Sequence, residues 1–243
     1  MDPAEHRFVE IRPMELIREG SNLVREQYWM LVFICAVGVF IGSVAPLSIL
    51  MGPMMCGIYL CMFLVMRGGR ASFELLFKGF EYFVESLVAT LIPLGIMLVV
   101  MFGVWFVMFI MAMGFGAMSD GDSAGPGVAF ILLLIVLGLV ATVVLIAVNM
   151  LFMFAYLLIV DRKMQAVPAL KASIAAVRSH FMGLLGLMLL NGLFSMLAAL
   201  FCYLPLFLYL PVAFASITLA YRAIFPEINE EAPAIPMNDP MAF

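Results

Sequence analysis

Four stretches of this chain, residues 27–66, 86–119, 123–160 and 181–221, contain no Lys, Arg, Asp, Glu or His. Each exceeds the roughly 20 apolar residues that cross a bilayer core. A water-facing helix needs charged or polar positions on its outer side, and these runs offer none over many turns. Composition agrees: 66% of residues are hydrophobic, 12% are charged, and mean hydropathy is +1.17. The expected class is an all-α integral membrane protein, because a helix satisfies its own backbone in lipid.

The first run is long enough for two crossings. Its middle, "SVAPLSILMGP", carries Pro46, Gly52 and Pro53, and Gly-Pro steps mark turns. Helices are expected at about 29–45 and 53–66, with Gly52 and Pro53 at the hairpin turn, or Pro53 tolerated in a first helical turn. The last run repeats the plan, with Pro205 of "CYLPLFLYLP" between helices at about 181–202 and 206–224. Two longer segments, about 82–117 and 128–160, flank the loop "MSDGDSAGPG". The total is six transmembrane helices. Each longer segment would measure about 50 Å if fully helical, against a core of ~30 Å. They are expected to project past the outer headgroups or to kink near Pro93.

The twelve Lys and Arg residues fall into four groups. These are Arg7, Arg12, Arg18 and Arg25; Arg67, Arg70 and Lys78; Arg162, Lys163, Lys171 and Arg178; and Arg222. The alternate connections carry only Asp120 and Asp122. By the positive-inside rule both termini are expected in the cytoplasm. The first 26 residues are polar, so no cleavable signal peptide is expected.

A segment with helical apolar spacing precedes each outward crossing. "SFELLFKGFEYFVE" places Phe73, Phe77, Phe80 and Val84 on one stripe, with Glu74, Lys78, Glu81 and Glu85 opposite. "PALKASIAAVRSHF" places Leu170, Ile174, Val177 and Phe181 similarly, opposite Lys171 and Arg178. "ELIREGSNLVREQY" offers Ile17, Val24 and Tyr28, opposite Arg18 and Arg25. These are expected to be amphipathic interfacial helices. Three parallel repeats of interfacial helix plus membrane hairpin follow, at about 14–67, 71–161 and 167–224. They form one membrane domain at 14–225, between a polar tail at 1–13 and an acidic, Pro-rich, disordered tail at 226–243. The outward charges Arg25, Glu81 and Arg178 are expected to meet a partner, and the stripes of Phe77, Phe80 and Ile174 to anchor the bundle.

"MGPMMCGIYL…MRGGRASFELLFKGFEYF" and "DRKMQAVPALKASIAAVRSHF" resemble uncharacterised bacterial six-helix membrane proteins. That group is similar to the membrane domain attached to some glycerophosphoryl diester phosphodiesterases. The resemblance covers about residues 14–225 and implies a multi-pass protein of the bacterial cytoplasmic membrane, with no defined reaction. The catalytic barrel of those enzymes has no counterpart here, so their activity is not implied.

Little chemistry is legible. The two histidines are His6, in the polar tail, and His180, at the start of helix five. No HExxH, GxSxG or phosphate-cradling glycine loop occurs. Asp120 and Asp122 are too few for a calcium site. Met51, Met54, Met55 and Cys56 offer soft sulfur of the kind Cu(I) favours. Met recurs without fixed spacing, however, and reads as flexible packing. Cys35, Cys56, Cys61 and Cys202 show no paired spacing. No cofactor, metal or nucleic acid is expected. Mid-membrane polar groups are the better pointer. Asn149 and Asn191 qualify, and both are expected to bond across helices. Gly38 and Gly42 form a GxxxG suited to close helix contact. The chain is expected to be non-enzymatic: a scaffold, assembly factor or accessory subunit, with the bilayer and a protein partner or second copy as its contacts. The alternative is a transporter or channel for an apolar or lipid-like solute.

Overall fold

The computed structural model describes residue 9 and residues 11–44, 49–118, 125–200 and 204–226. Pro46, the loop with Asp120, Asp122 and Ser123, Cys202, His6 and the tail from 227 lie outside the described residues. Within them the regular elements are all helical. They are α1 (Pro13–Val24), α2 (Tyr28–Val44), α3 (Met51–Met66), α4 (Phe73–Phe77), α5 (Phe83–Met118), α6 (Gly125–Phe152), α7 (Ala155–Arg162), α8 (Ala166–Ser179), α9 (Phe181–Leu200) and α10 (Leu204–Ile224). A single 3-10 turn (Arg25–Gln27) joins α1 to α2, and another (Lys78–Tyr82) joins α4 to α5.

The centre is α3, which buries eleven of its sixteen residues. Gly52 and Pro53 lie in its first helical turn, the alternative placement expected for Pro53. Pro suits that position because a first-turn N–H has no helical partner. Pro205 likewise lies in the first turn of α10. α2 packs antiparallel on α3, and its two interface glycines explain how closely. A Cβ on Gly38 would come within 3.0 Å of the Ile58 side chain, and one on Gly42 within 2.9 Å of Met51 Sδ. The GxxxG therefore serves a contact inside the chain.

After α3 the backbone reverses at Gly68, whose φ of +77° is left-handed. The Ser72 hydroxyl accepts from Leu75 N–H at 3.3 Å, capping α4. The chain then returns lengthwise along α3. Cys61 Sγ lies 3.7 Å from Ser72 O. The Gly57 Cα faces the Leu76 carbonyl, Gly79 faces the Pro53 carbonyl, and a Cβ on Gly52 would stand 2.5 Å from Ser86 O. The side of this segment that meets protein is thus Leu76 and Gly79. The apolar stripe points outward, with Phe77 and Phe80 stacked at 6.5 Å and both exposed.

The other two amphipathic segments behave differently. α1 buries Ile17 and Val24, and Gly20 sits against the α10 backbone at Ser216 and Val212. α8 buries Leu170 and Val177, with Ile174 half-buried. Two stripes meet protein over most of their length, with Phe181 exposed at the end of one, and the third is open, so the three units are not equivalent in packing.

The expected single helix over 128–160 is broken at residues 153–154. Ser173 of α8 inserts there: its hydroxyl donates to Leu151 O at 2.8 Å and accepts from Phe154 N at 3.2 Å. A side chain that intercepts the helical ladder is a sufficient cause for the break. Ser173→Ala is expected to leave both groups unsatisfied and cost ~1–3 kcal/mol, read as a lower thermal transition.

Among the described residues, five helical stretches are long and apolar enough to cross a membrane: Pro13–Val44, Phe73–Met111, Ile131–Arg162, Phe181–Leu200 and Pro205–Ile224. α3 is apolar but shorter. Its 16 residues span about 24 Å at ~1.5 Å per residue, against a core of ~30 Å. α5 runs unbroken through Pro93 for 36 residues, about 54 Å, and α6 for 28 residues, about 42 Å.

Candidate functional site

The most organised polar feature joins the ends of α7, α10 and α3. Asp161 on α7 holds Arg222 of α10 through both guanidinium nitrogens, at 2.7 and 3.0 Å. The Tyr221 hydroxyl donates to Asp161 Oδ2 at 2.8 Å. Both charged side chains are 12% exposed. The Arg222 guanidinium also lies over the Phe63 ring of α3, 4.6 Å from its centroid. Phe154, Tyr221 and Phe225 close the cluster, all fully buried. Arg162 covers the far side of Phe225 at 5.1 Å and donates to Pro226 O at 3.1 Å. A carboxylate accepting three bonds is geometrically satisfied. The arrangement clasps α7 to α10.

A second connection caps α8. The Glu85 carboxylate of α5 accepts from Ala166 N–H at 2.6 Å, placing an acid at a helix N-terminus. Nearby, the Thr90 hydroxyl donates to Ser86 O at 2.7 Å and meets the Tyr156 hydroxyl at 3.0 Å. His180 is buried, its Nε2 accepting from Val9 N–H at 3.1 Å and its Nδ1 at 3.0 Å from Ala176 O. That pairing assigns the proton to Nδ1.

The two mid-helix asparagines part company. Asn191 is buried between α9 and α10: Tyr209 donates to its Oδ1 at 2.6 Å, and its Nδ2 donates to Ser216 Oγ at 3.2 Å. Asn149, expected to bond across helices, is exposed and donates to Leu145 O of its own helix at 2.9 Å. Asn191→Ala is therefore expected to cost ~1–3 kcal/mol through its orphaned partners. Asn149→Leu should stay within ~0.5 kcal/mol, as surface changes do. Parallel thermal melts in detergent check the pair.

Arg25, Glu81 and Arg178 are exposed and lie on three different elements. Met54 and Cys56 are fully buried in the core, and Met51 packs against Gly42. Cys35, Cys56 and Cys61 are free thiols within the same core. Among the described residues no three His, Cys, Asp or Glu side chains gather as a metal set.

Sequence reasoning passed over Asp161, Tyr221, Glu85 and Ser173. A signal for the first existed. Asp161 and Arg222 each directly follow a charge-free run, so opposite charges stand at the ends of two membrane-length segments.

Exposed apolar side chains cover the described middle portions of α5 and α6. Val99, Phe102 and Trp105 are 73%, 70% and 67% exposed, and Leu139 is 63% exposed. Such continuous apolar surface belongs in lipid or against another helix. Fold and surface thus define an all-helical membrane protein with a protein-filled centre and a long apolar hairpin. Within that class the chain belongs to the family described as "Domain of unknown function (DUF7847)", whose model matches residues 44–228. No curated protein and no solved structure matches the chain.

Proposed function

We propose that this chain is a non-enzymatic protein of the bacterial cytoplasmic membrane, working as a scaffold, assembly factor or accessory subunit of a membrane complex. It crosses six times, with both termini inside. The observation that carries the reading is the position of α3. The axis where a solute path would run is filled by a helix in backbone contact with its neighbours. The α5–α6 hairpin, meanwhile, turns its apolar faces outward. A filled centre and an open flank suit a part that is docked upon. The resemblance to the membrane domain of glycerophosphoryl diester phosphodiesterases fits such an accessory role.

The α4 stripe of Phe73, Phe77 and Phe80 is the best candidate for an interfacial anchor, since its outward face needs lipid. Glu81 and Arg178 then offer charge to a partner. Photo-crosslinkers at Val99 and Leu139 in native membranes should trap one protein of fixed mass. Charge reversal at Glu81 and Arg178 should weaken its recovery while leaving the chain inserted. Lipid adducts alone would defeat the scaffold reading.

The second reading, transport of an apolar or lipid-like solute, draws on Pro93 and Pro211 inside α5 and α10. Each proline removes one backbone hydrogen bond from a continuous helix, and discontinuous helices are what transporters use at their binding sites. Solute flux in vesicles carrying the purified chain would favour it. Orientation is tested by labelling from outside: a cysteine at Ser123 should react and one at Gln165 should not. Gln165 is exposed, whereas the neighbouring Ala166 is buried and would be silent from either side.

A further inference from the structure

A groove of about 960 Å³ opens where the α1–α2 joint meets the loop after α3. Its wall carries Arg25, Glu26, Gln27, Tyr28, Trp29 and Arg70, with Val212 of α10 at its edge. One side chain builds it. Gln27 donates to Gly69 O and accepts from Ala71 N, both at 2.8 Å. That clamp fixes the Gly68–Arg70 loop beside Arg25, so two arginines from distant positions share one cleft. Neither engages another described residue, and against Glu26 alone they leave the groove net positive.

A second groove lies further along the same two helices, α2 and α10. Pro211 has no N–H for the Phe207 carbonyl, which loosens the first half of α10. The Tyr28 hydroxyl donates to the adjacent Leu208 carbonyl at 2.8 Å, tying α2 to α10 there. Beyond it lies that second, apolar groove of about 310 Å³ lined by Ala36, Val37, Phe40 and Phe207. From Trp29 to Phe40 the helix rises about 16 Å, close to one leaflet of a ~30 Å core. Trp29 is 66% exposed at the junction, the depth that indole favours. Cations, then an aromatic belt, then an apolar trough follow in the order of a phospholipid's parts.

We infer that the α2–α10 seam binds one anionic phospholipid, its phosphate between Arg25 and Arg70 and an acyl chain along Ala36, Val37 and Phe207. This rests on α2 and α10 lying in the bilayer, and not on the scaffold role. A phosphodiester with an uncharged headgroup matches the single net positive charge. A choline headgroup would bring a bulky cation against two arginines.

The chain has two tryptophans, Trp29 and Trp105, so Trp105→Phe leaves Trp29 as the reporter. The full chain, reconstituted in vesicles, is titrated with phosphatidylglycerol or phosphatidylcholine brominated on the acyl chain. Trp29 quenching should report phosphatidylglycerol about 25-fold tighter, about 5-fold for each arginine. Arg25→Gln with Arg70→Gln should bring the ratio near one at an unchanged thermal transition, since both side chains are exposed. Ala36→Leu, which fills the trough, should weaken both lipids. Equal quenching in the starting protein, or an unchanged ratio in the double variant, overturns the inference. Displacement of the lipid by millimolar glycerol phosphate would assign the arginines to a free phosphate and overturn it as well.

Discussion

Arg222→Ala is expected to cost about 3–5 kcal/mol, because it strands the Asp161 carboxylate in a nearly dry cluster. The Tyr221 hydroxyl cannot neutralise that charge, and the Phe63 ring loses the cation above it. The double replacement Asp161→Leu with Arg222→Met should recover most of the loss, since removing both charges also removes their desolvation penalty. Chemical unfolding in a mild detergent, followed by the mobility of α7, reads both variants. A single variant no less stable than the original chain would show that the clasp does not hold α7 to α10. The pair lies at the ends of its helices, where water is near, so the lower half of the range is the better expectation.

Gly57→Ala is the second large effect. The added methyl would meet the Leu76 carbonyl, which is backbone in a capped helix and cannot swing aside. Overpacking typically costs 1–3 kcal/mol and more where no side chain can yield, so a loss of about 3 kcal/mol is expected. Gly79→Ala, against the Pro53 carbonyl and the Gly57 backbone, should behave the same way. Gly103→Ala and Gly138→Ala are the controls, because nothing stands within 4 Å of either site. Helix propensity alone should make them neutral or up to ~1 kcal/mol more stable. If Gly57→Ala matches the controls, α4 does not press on α3 as described. The contrast separates glycines needed for approach from glycines that merely occur in an apolar helix.

The asparagines show where sequence reading stops. Asn149 and Asn191 look alike in the chain, each an amide among some twenty apolar neighbours. Which amide turns inward depends on helix rotation. α9 meets α10 along Asn191 and Ser216, whereas the Asn149 face of α6 has no neighbour. Apolar periodicity could not reveal that rotation, because lipid and protein interior both accept apolar side chains. The stripe of Phe73, Phe77 and Phe80 shows the same ambiguity, because its outward face is as compatible with lipid as an inward one would be with protein. In water it would point to the core, whereas here the glycine side does.

The sequence by itself determined the class, the helical segments and the arginine-rich ends. These follow from charge and length, which need no neighbour: a charge-free run longer than a bilayer core has few other folds, and proline and glycine mark its corners. Only the tertiary structure decided that α3 lies at the centre, that Ser173 breaks α6 from α7, and that Asp161 meets Arg222 and Tyr221. It also brought Arg25 to Arg70 through the Gln27 amide. Each of those depends on close approach between segments far apart in the chain. Close approach is set by the absence of a Cβ at Gly52, Gly57 and Gly79 and by hydrogen bonds that form only once the helices have met.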